Sequence, residues 1–168
     1  DMFLRAGVPY KIVGGTRFFD RAEIRDVMAY LKLVVNPDDD VSALRVINTP
    51  RRGLGTTSVN RIRVYAAERG ISFFSATEPG FLSAKAMSSL AGFANAIEAA
   101  RLFDGDLADV VQMIIDRTGL IQALEAEQTM EADGRVENIK EFFGVAQEFD
   151  ETHEDAAATL ESLEQLRE

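Results

Sequence analysis

Hydrophobic positions recur every three or four residues along most of the chain, which predicts a series of amphipathic helices. The first is predicted to start at Asp20, because Asp20 and Glu23 have the spacing of a capping box, and to end at Asn36 and Pro37. The segments predicted to form the later helices are 38–49, 56–69, 72–76, 84–103, 106–118, 120–127, 135–149 and a last one after the polar residues around His153. The pattern therefore indicates an all-α fold.

One segment near the start of the chain has a different pattern. Residues 10–13 (YKIV) are predicted to form a short β-strand, which ends in a turn at Gly14 and Gly15. No partner strand follows nearby, so this strand would pair outside the chain or lie at an edge. The predicted fold is a multi-helix orthogonal bundle with one short N-terminal β-strand.

Several helix ends can be predicted from single residues. One of the aspartates at 38–40 is expected to cap the second helix, which ends before Pro50. The apolar residues predicted to be buried by that helix are Val41, Leu44 and Ile47. The hydroxyl residues available to cap the next helix are Thr56, Thr57 and Ser58. Gly70 and Gly119 are expected to end the helices that precede them.

The composition is typical of a globular protein and excludes some kinds of site. The 168 residues are 46% hydrophobic and 27% charged, and they suit one domain. Because the chain has no cysteine, disulfides and thiolate metal sites are excluded, and the single His153 is expected to be a solvated surface residue rather than a metal ligand. No membrane-length apolar run or signal peptide is present, which favours a cytoplasmic location.

The charge is distributed unevenly along the chain. The formal net charge is −10, yet residues 1–70 hold 12 Lys and Arg against 8 Asp and Glu, a net of +4, whereas residues 71–168 have a net of −14. Within residues 41–67 there are five arginines and no acidic residue. This asymmetry suggests a local surface for a polyanion on an otherwise acidic protein. The alternative is that the arginines only pair with the acidic half.

The sequence NTPRRGLGTTS, residues 48–58, lies between two predicted helices in this basic stretch. Gly53 and Gly55 would let the backbone approach a phosphate, which the N–H groups at the start of the next helix can also bind. Hydroxyl groups and cations around the turn could assist, and the residues that carry them are Arg51, Arg52, Thr56, Thr57, Ser58, Arg61 and Arg63. The turn thus has the features of a helix-hairpin-helix that binds a phosphate backbone, with a plain interhelical turn as the alternative.

The chain contains several distinctive motifs, which are Gly14-Gly15, R-F-F-D-R-x-E-I from Arg17, A-Y-L from Ala29, N-P-D-D-D from Asn36, N-T-P-x-R-G-L-G from Asn48, DRTGL from Asp116 and RVENIKEF from Arg135. Together they resemble the UvrD/PcrA/Rep family of superfamily 1 DNA helicases, where subdomain 2A joins subdomain 2B. The resemblance implies that residues 1–19 are the end of subdomain 2A and its junction. Residues 20–168 would form the helical 2B subdomain, with a duplex-DNA-binding element at 41–69.

In that family the glycine turn holds the backbone of the duplex ahead of the fork, at a junction of single and double strands. By position, the resemblance assigns this contact to Arg52, Gly53, Leu54, Gly55 and Ser58, with further contacts from Arg25 and Lys32 on the first helix. Leu54 stands where isoleucine is common in the family, and both residues can anchor the turn. The implied function is a regulatory subdomain of an ATP-dependent 3′–5′ helicase in DNA repair and replication.

The chain lacks the motifs of an ATPase motor. It contains no phosphate-binding loop and no Walker-B acid pair, so we expect no catalysis and no cofactor in this chain itself. The resemblance places ATP and Mg²⁺ in the motor subdomains of the parent helicase, which would be partners of this subdomain. A different hypothesis is an acidic helical protein–protein interaction module, in which the arginines only neutralise the acidic half.

Overall fold

Helices form all the regular structure in the described part of the chain. The computed structural model describes residues 16–76 and 80–167, with the backbone alone for residue 16 and residues 154–167. The helices are α1 (Thr16–Asp20), α2 (Ala22–Val35), α3 (Asp40–Val46), α4 (Thr56–Arg69), α5 (Ala84–Leu102), α6 (Leu107–Thr118), α7 (Leu120–Glu125) and α8 (Met130–Arg167). The prediction of a helical fold is confirmed for these residues. The strand predicted at 10–13 lies outside them.

The start of the first long helix differs from the prediction. Residues 16–20 form the short helix α1, so Asp20 is itself helical and cannot cap α2. The N-cap of α2 is Arg21, with an extended backbone and no capping hydrogen bond from its side chain. This arrangement buries the ring of Phe18, which is 1% exposed. Burial of that ring, a long-range effect, therefore overrides the local capping signal.

Helix α3 is capped by Asp39, as the aspartate run predicted. The Asp39 carboxylate accepts hydrogen bonds from the backbone N–H of Ser42 at 3.1 Å and from the Ser42 hydroxyl at 2.7 Å. These hydrogen bonds lower the pKa of Asp39. The predicted buried face was wrong at Val41, which is 81% exposed. The cap turns Ser42 and Ala43 inward instead, so that a hydroxyl satisfied by Asp39 occupies the buried position.

Two further segments differ from the prediction. Residues 72–76 form a turn rather than a helix. The backbone N–H of Phe73 in this turn donates a hydrogen bond to the Asp40 carboxylate at 2.9 Å.

Met130–Arg167 is one continuous helix, whereas the sequence predicted a helix at 135–149 and a separate last helix. No proline interrupts that stretch, and the exposed His153 stacks on Phe149 at a ring distance of 3.8 Å. A polar sequence alone therefore does not end this helix.

Helix α2 contributes to both hydrophobic clusters of the core. One side of it, with Tyr30 and Leu33, packs in a cluster with α3, α4 and α5. The other side, with Ile24 and Val27, packs in a second cluster with α1, α6 and α8. Because α2 is covered on both sides, it supports the segment between α3 and α4 from the centre of the fold.

Asp150 links α8 to the start of α6. Its carboxylate accepts hydrogen bonds from the backbone N–H groups of Leu107 at 2.9 Å and of Ala108 at 2.8 Å. These are two of the N–H groups at a helix start that have no partner within the helix. A carboxylate at this position is also favoured by the helix dipole. The sequence offers no local signal for this cap, because Asp150 is distant from α6 in the chain.

We expect Asp150→Ala to lower the free energy of unfolding by about 1–2 kcal/mol, the usual effect of removing a helix cap. Urea unfolding followed by circular dichroism would measure the change. Glu148→Ala is the matched control, because Glu148 is exposed on the same helix and its carboxylate forms no hydrogen bond or ion pair in the described structure. Equal stability of the two variants would contradict a capping role for Asp150.

Candidate nucleic-acid interface

The turn between α3 and α4 is held in shape by the side chain of Asn48. The Asn48 side-chain carbonyl accepts hydrogen bonds from the backbone N–H groups of Arg52 at 3.4 Å and Leu54 at 3.3 Å, and its amide donates to the carbonyl of Leu54. The Thr49–Pro50 peptide bond in this turn is cis. Leu54 points into the core and is 2% exposed. The turn, residues 47–55, is therefore an ordered part of the fold.

The guanidinium group of Arg52 lies inside this turn. It donates to the backbone carbonyls of Val46 at 2.7 Å and Ile47 at 2.9 Å, and to that of Pro50 at 3.3 Å. It also donates to the hydroxyl of Tyr30 and lies 5.0 Å above the ring centre of Phe93. The carbonyls at the end of α3 lack partners within the helix, and the helix dipole favours a cation there. The guanidinium group of Arg52 therefore stabilises the turn from within the protein.

Tyr30 completes this contact from helix α2. Its buried hydroxyl accepts the hydrogen bond from Arg52 and donates to the backbone carbonyl of Thr49. Burial raises the pKa of the Tyr30 hydroxyl, and the neighbouring Arg52 guanidinium opposes that rise only in part. The hydroxyl therefore stays protonated and remains a hydrogen-bond donor at neutral pH.

The two glycines of the turn have different structural roles. Gly53 has a φ of +75°, a left-handed conformation that disfavours residues with a side chain. Gly55 has an ordinary φ of −70°, and a Cβ atom built on it would have no neighbour within 4 Å. The fold therefore explains the glycine at 53 and leaves the one at 55 open to another explanation, such as the close approach of a ligand.

Helix α4 starts directly after this glycine, with free hydrogen-bond donors. Gly55 is the N-cap, so the prediction that a hydroxyl of Thr56, Thr57 or Ser58 caps the helix was wrong. These three residues form the first turn, and their backbone N–H groups have no acceptor among the described residues. The first turn of α4 also contains no acidic residue. The start of α4 thus presents unpaired donors and the positive end of a helix dipole.

Exposed arginines lie close to these donors in the sequence. Arg51, Arg61 and Arg63 are exposed, and none of them forms an ion pair with a carboxylate in the described residues. Arg45 does form an ion pair, with Asp26 at 3.0 Å. Burial raises the pKa of the Asp26 carboxyl, and the Arg45 guanidinium opposes this rise only in part. Since Asp26 belongs to the basic half of the chain, the described structure shows no arginine of 41–67 neutralised by the acidic half.

The two residues predicted on the preceding helix lie apart from the turn. Arg25 and Lys32 are both exposed on α2, and their seven-residue spacing places them on one face of that helix. Among the described residues, no hydrogen bond or ion pair joins either side chain to the turn. Lys32 contributes to the lowered pKa of Asp39, the cap of α3. The turn and the face of α2 are therefore two separate groups of positive charge.

A groove continues from the start of α4 along its outer face. Its volume is about 880 Å³, and it is lined by Thr57, Asn60, Arg61, Val64, Tyr65, Glu68, Arg69, Gly80 and Phe81. Its lining includes an aromatic pair, since the ring centres of Tyr65 and Phe81 lie 5.6 Å apart.

Within the described ranges, none of the helices has the length and apolar content that a membrane crossing requires, and no three acidic or histidine side chains group as metal ligands.

Comparison with known proteins identifies the family of this chain. Residues 1–167 match the UvrD-like helicase C-terminal domain. The chain belongs to this family. It is 44% identical to the ATP-dependent DNA helicase PcrA of Bacillus subtilis over 92% of its own length and 22% of that protein's length. The resemblance seen in the motifs is thereby confirmed at the level of the family.

Other relatives of this UvrD-like domain have similar coverage. The ATP-dependent DNA helicase UvrD1 of Mycobacterium tuberculosis is 39% identical over 94% of the chain and 21% of its own length. A probable DNA helicase II homolog of Rickettsia felis is 40% identical over 92% of the chain and 24% of its own length. The chain thus spans between a fifth and a quarter of the length of these curated relatives.

The turn of the UvrD-like domain contains a structural residue whose role the sequence did not predict. Asn48 was assigned no role, although three hydrogen bonds of its side chain organise the turn. The available signal was its position two residues before Pro50, since asparagine side chains often replace backbone groups in turns. That signal identifies a turn residue, but not the partners that it binds.

Proposed function

We propose that this chain is the duplex-DNA-binding 2B subdomain of an ATP-dependent 3′–5′ DNA helicase that acts in repair and replication. In this proposal residues 1–19 end subdomain 2A, and α3, the turn and α4 form a helix-hairpin-helix-like element within 41–69. One observation carries the proposal. The unpaired N–H groups at the start of α4 follow a glycine with open space around it, and three exposed arginines without ion pairs among the described residues lie within a few residues of them in the sequence.

The ligand that suits these features is a phosphate of the DNA backbone. A phosphate accepts hydrogen bonds from several N–H groups at once, and the positive end of α4 favours its charge. The absence of a Cβ atom at Gly55 allows the phosphate to come within hydrogen-bonding distance of the backbone. Because backbone phosphates are the same in every sequence, such binding has no sequence preference.

The residues of the turn divide into two groups in this proposal. Those that contact or attract the duplex are Arg51, Gly55, Thr56, Thr57, Ser58 and Arg61, with Arg25 and Lys32 farther along the duplex. Arg52, Gly53 and Leu54 give the turn its shape and so support binding mainly by holding the contacting residues in place. ATP and Mg²⁺ would bind to the motor subdomains of the parent helicase, which the names of the relatives as ATP-dependent DNA helicases support.

We expect the chain to bind a fluorescent DNA hairpin weakly, with the same affinity for unrelated duplex sequences. Three or four phosphate contacts, at about 0.9 each, predict a log–log salt slope of about −2.7 to −3.6, so a fourfold rise in salt would lower the affinity roughly 40-fold to 150-fold. Gly55→Ala is expected to weaken binding about tenfold or more, because the added methyl group separates the phosphate from charge-assisted hydrogen bonds. Fluorescence anisotropy at several salt concentrations measures both effects.

The matched control for this variant is Gly92→Ala on helix α5, where an added Cβ atom also has open space. It should bind the hairpin like the wild-type chain. Circular dichroism should show that both variants stay folded. Absence of binding at low salt would contradict the proposal and favour the acidic protein-interaction module. Binding that Gly55→Ala leaves unchanged would show that the turn is only a connector.

A further inference from the structure

The chain contains two Asp-Gly sequences, and the fold places them in different surroundings. Asp104 and Gly105 lie in the loop that joins α5 to α6, and both residues are exposed. Asp133 and Gly134 lie inside helix α8, where both are also exposed. The two pairs therefore have the same covalent structure and are both open to solvent, but only the second has a helical backbone.

Hydrogen bonds hold the helical pair and not the loop pair. Among the described residues, the Asp104 carboxylate forms no hydrogen bond or ion pair, and the backbone N–H of Gly105 has no acceptor. In α8, helical geometry gives the N–H of Gly134 the carbonyl of Met130 as its acceptor. The amide nitrogen that follows the aspartate is thus unconstrained in the loop and fixed in the helix.

The packing of the loop requires glycine at position 105. A Cβ atom on Gly105 would collide with the ring of Phe103 and would lie 3.2 Å from the Cβ atom of Asp109. Without a side chain, the backbone nitrogen of Gly105 is open to a close approach by the Asp104 carboxyl group. The fold therefore keeps beside Asp104 the least hindered neighbour that an aspartate can have.

We propose that Asp104 is a site of spontaneous isoaspartate formation in the folded protein, and that Asp133 is not. The backbone nitrogen of Gly105 attacks the side-chain carboxyl carbon of Asp104. A C–N bond forms, the nitrogen loses its proton, and one carboxyl oxygen leaves as water, which produces a cyclic succinimide. Water then opens this ring. Opening at the original backbone carbonyl leaves the chain connected through the side chain, as isoaspartate, whereas opening at the other carbonyl restores aspartate.

The product would alter the junction between two core helices. Isoaspartate lengthens the main chain by one carbon atom, two residues before Asp106, which is the N-cap of α6 and forms a capping box with Asp109. Helix α6 contributes to both hydrophobic clusters of the core, through Ile114 in one and Val111 in the other. The modification therefore acts on a core junction, and it does not depend on the proposed function.

Peptide mapping of the aged protein tests this inference. Trypsin separates the two sites, because peptide 102–117 contains Asp104 and peptide 118–135 contains Asp133. After long incubation of the folded chain at neutral pH, peptide 102–117 should contain a second form of identical mass whose fragmentation identifies isoaspartate. Peptide 118–135 should remain a single form. Asp104→Glu should abolish the second form, because the longer side chain would have to close a larger ring, and the matched control Asp133→Glu should leave it unchanged.

Incubation of the same chain in concentrated urea isolates the effect of the fold. With α8 unfolded, both peptides should form isoaspartate to a similar extent, since both contain Asp-Gly. Circular dichroism before and after incubation should show that the sample without urea stays folded. Absence of isoaspartate at Asp104 in the folded chain, or equal amounts at both sites, would overturn the inference. A difference between the sites that persists in urea would also overturn it, because the cause would then be the neighbouring sequence.

Discussion

Replacing Arg52 by alanine is expected to lower the free energy of unfolding by about 2–4 kcal/mol. The guanidinium donates to three backbone carbonyls and to the hydroxyl of Tyr30, and its removal leaves the carbonyls of Ile47 and Pro50 without a partner among the described residues. Hydrogen bonds that involve a charged group contribute more than neutral ones. Urea unfolding with a global fit of midpoint and slope measures the loss. In the proposed function, Arg52 would therefore affect DNA binding by supporting the turn.

The neighbouring arginine is the matched control for this variant. Arg51 is exposed and forms no hydrogen bond or ion pair in the described structure, so Arg51→Ala should change stability by less than about 0.5 kcal/mol. We expect it to lower duplex affinity and flatten the salt slope instead. Arg52→Lys should be nearly as unstable as Arg52→Ala, because an ammonium group cannot reproduce the planar fork of donors. If Arg52→Ala keeps the wild-type stability but has a less steep salt dependence of duplex affinity, Arg52 contacts the DNA and its role as support of the turn is wrong.

Leu54→Ala is expected to lower the free energy of unfolding by about 2–5 kcal/mol, the usual range for truncating a buried leucine. Leu54 is 2% exposed and packs in the cluster that joins α2, α3, α4 and α5. Its loss removes the apolar anchor between Gly53 and Gly55, so duplex binding should fall together with stability. Differential scanning calorimetry would show the change as a lower melting temperature.

An exposed leucine provides the control for this second variant. Leu102 is 77% exposed at the end of α5, and Leu102→Ala should stay within about 0.5 kcal/mol of the wild type. Leu54→Ile should retain most of the stability, because it keeps the volume of the side chain. If Leu54→Ala melts at the same temperature as Leu102→Ala, the turn is not anchored through its leucine.

These predictions assign opposite tasks to adjacent residues of one short turn. Arg52 and Leu54 point into the protein, where they bind carbonyls and fill the core. Arg51 and Gly55 are exposed; the Arg51 side chain forms no hydrogen bond or ion pair among the described residues, and a Cβ atom on Gly55 would meet no atom within 4 Å. A rigid inner layer under an open outer layer is what a phosphate site needs, since donors that are already in place lose little entropy when the ligand binds. Comparison of Arg52→Ala and Leu54→Ala with Arg51→Ala and Gly55→Ala separates these layers experimentally.

Local sequence signals determined much of the fold. The helical periodicity predicted the helical class, and the residues that end or cap a helix were predicted correctly at Asp39, Gly70 and Gly119. A cap or a left-handed glycine acts within one turn of the chain, so its effect can be read from a few residues. The glycines and arginines at 51–55 also marked the turn as the candidate site, because an acid-free basic stretch is unusual in a chain with a net charge of −10.

Only the tertiary structure decided which residues of that site face inward and which face outward. The role of Arg52 depends on Tyr30 of α2 and Phe93 of α5, and these groups come together only when the helices pack. The same reason explains Asp150, whose partners on α6 are remote in sequence. Periodicity and charge are properties of neighbouring residues, whereas a hydrogen bond between distant residues depends on how the whole chain fills its core.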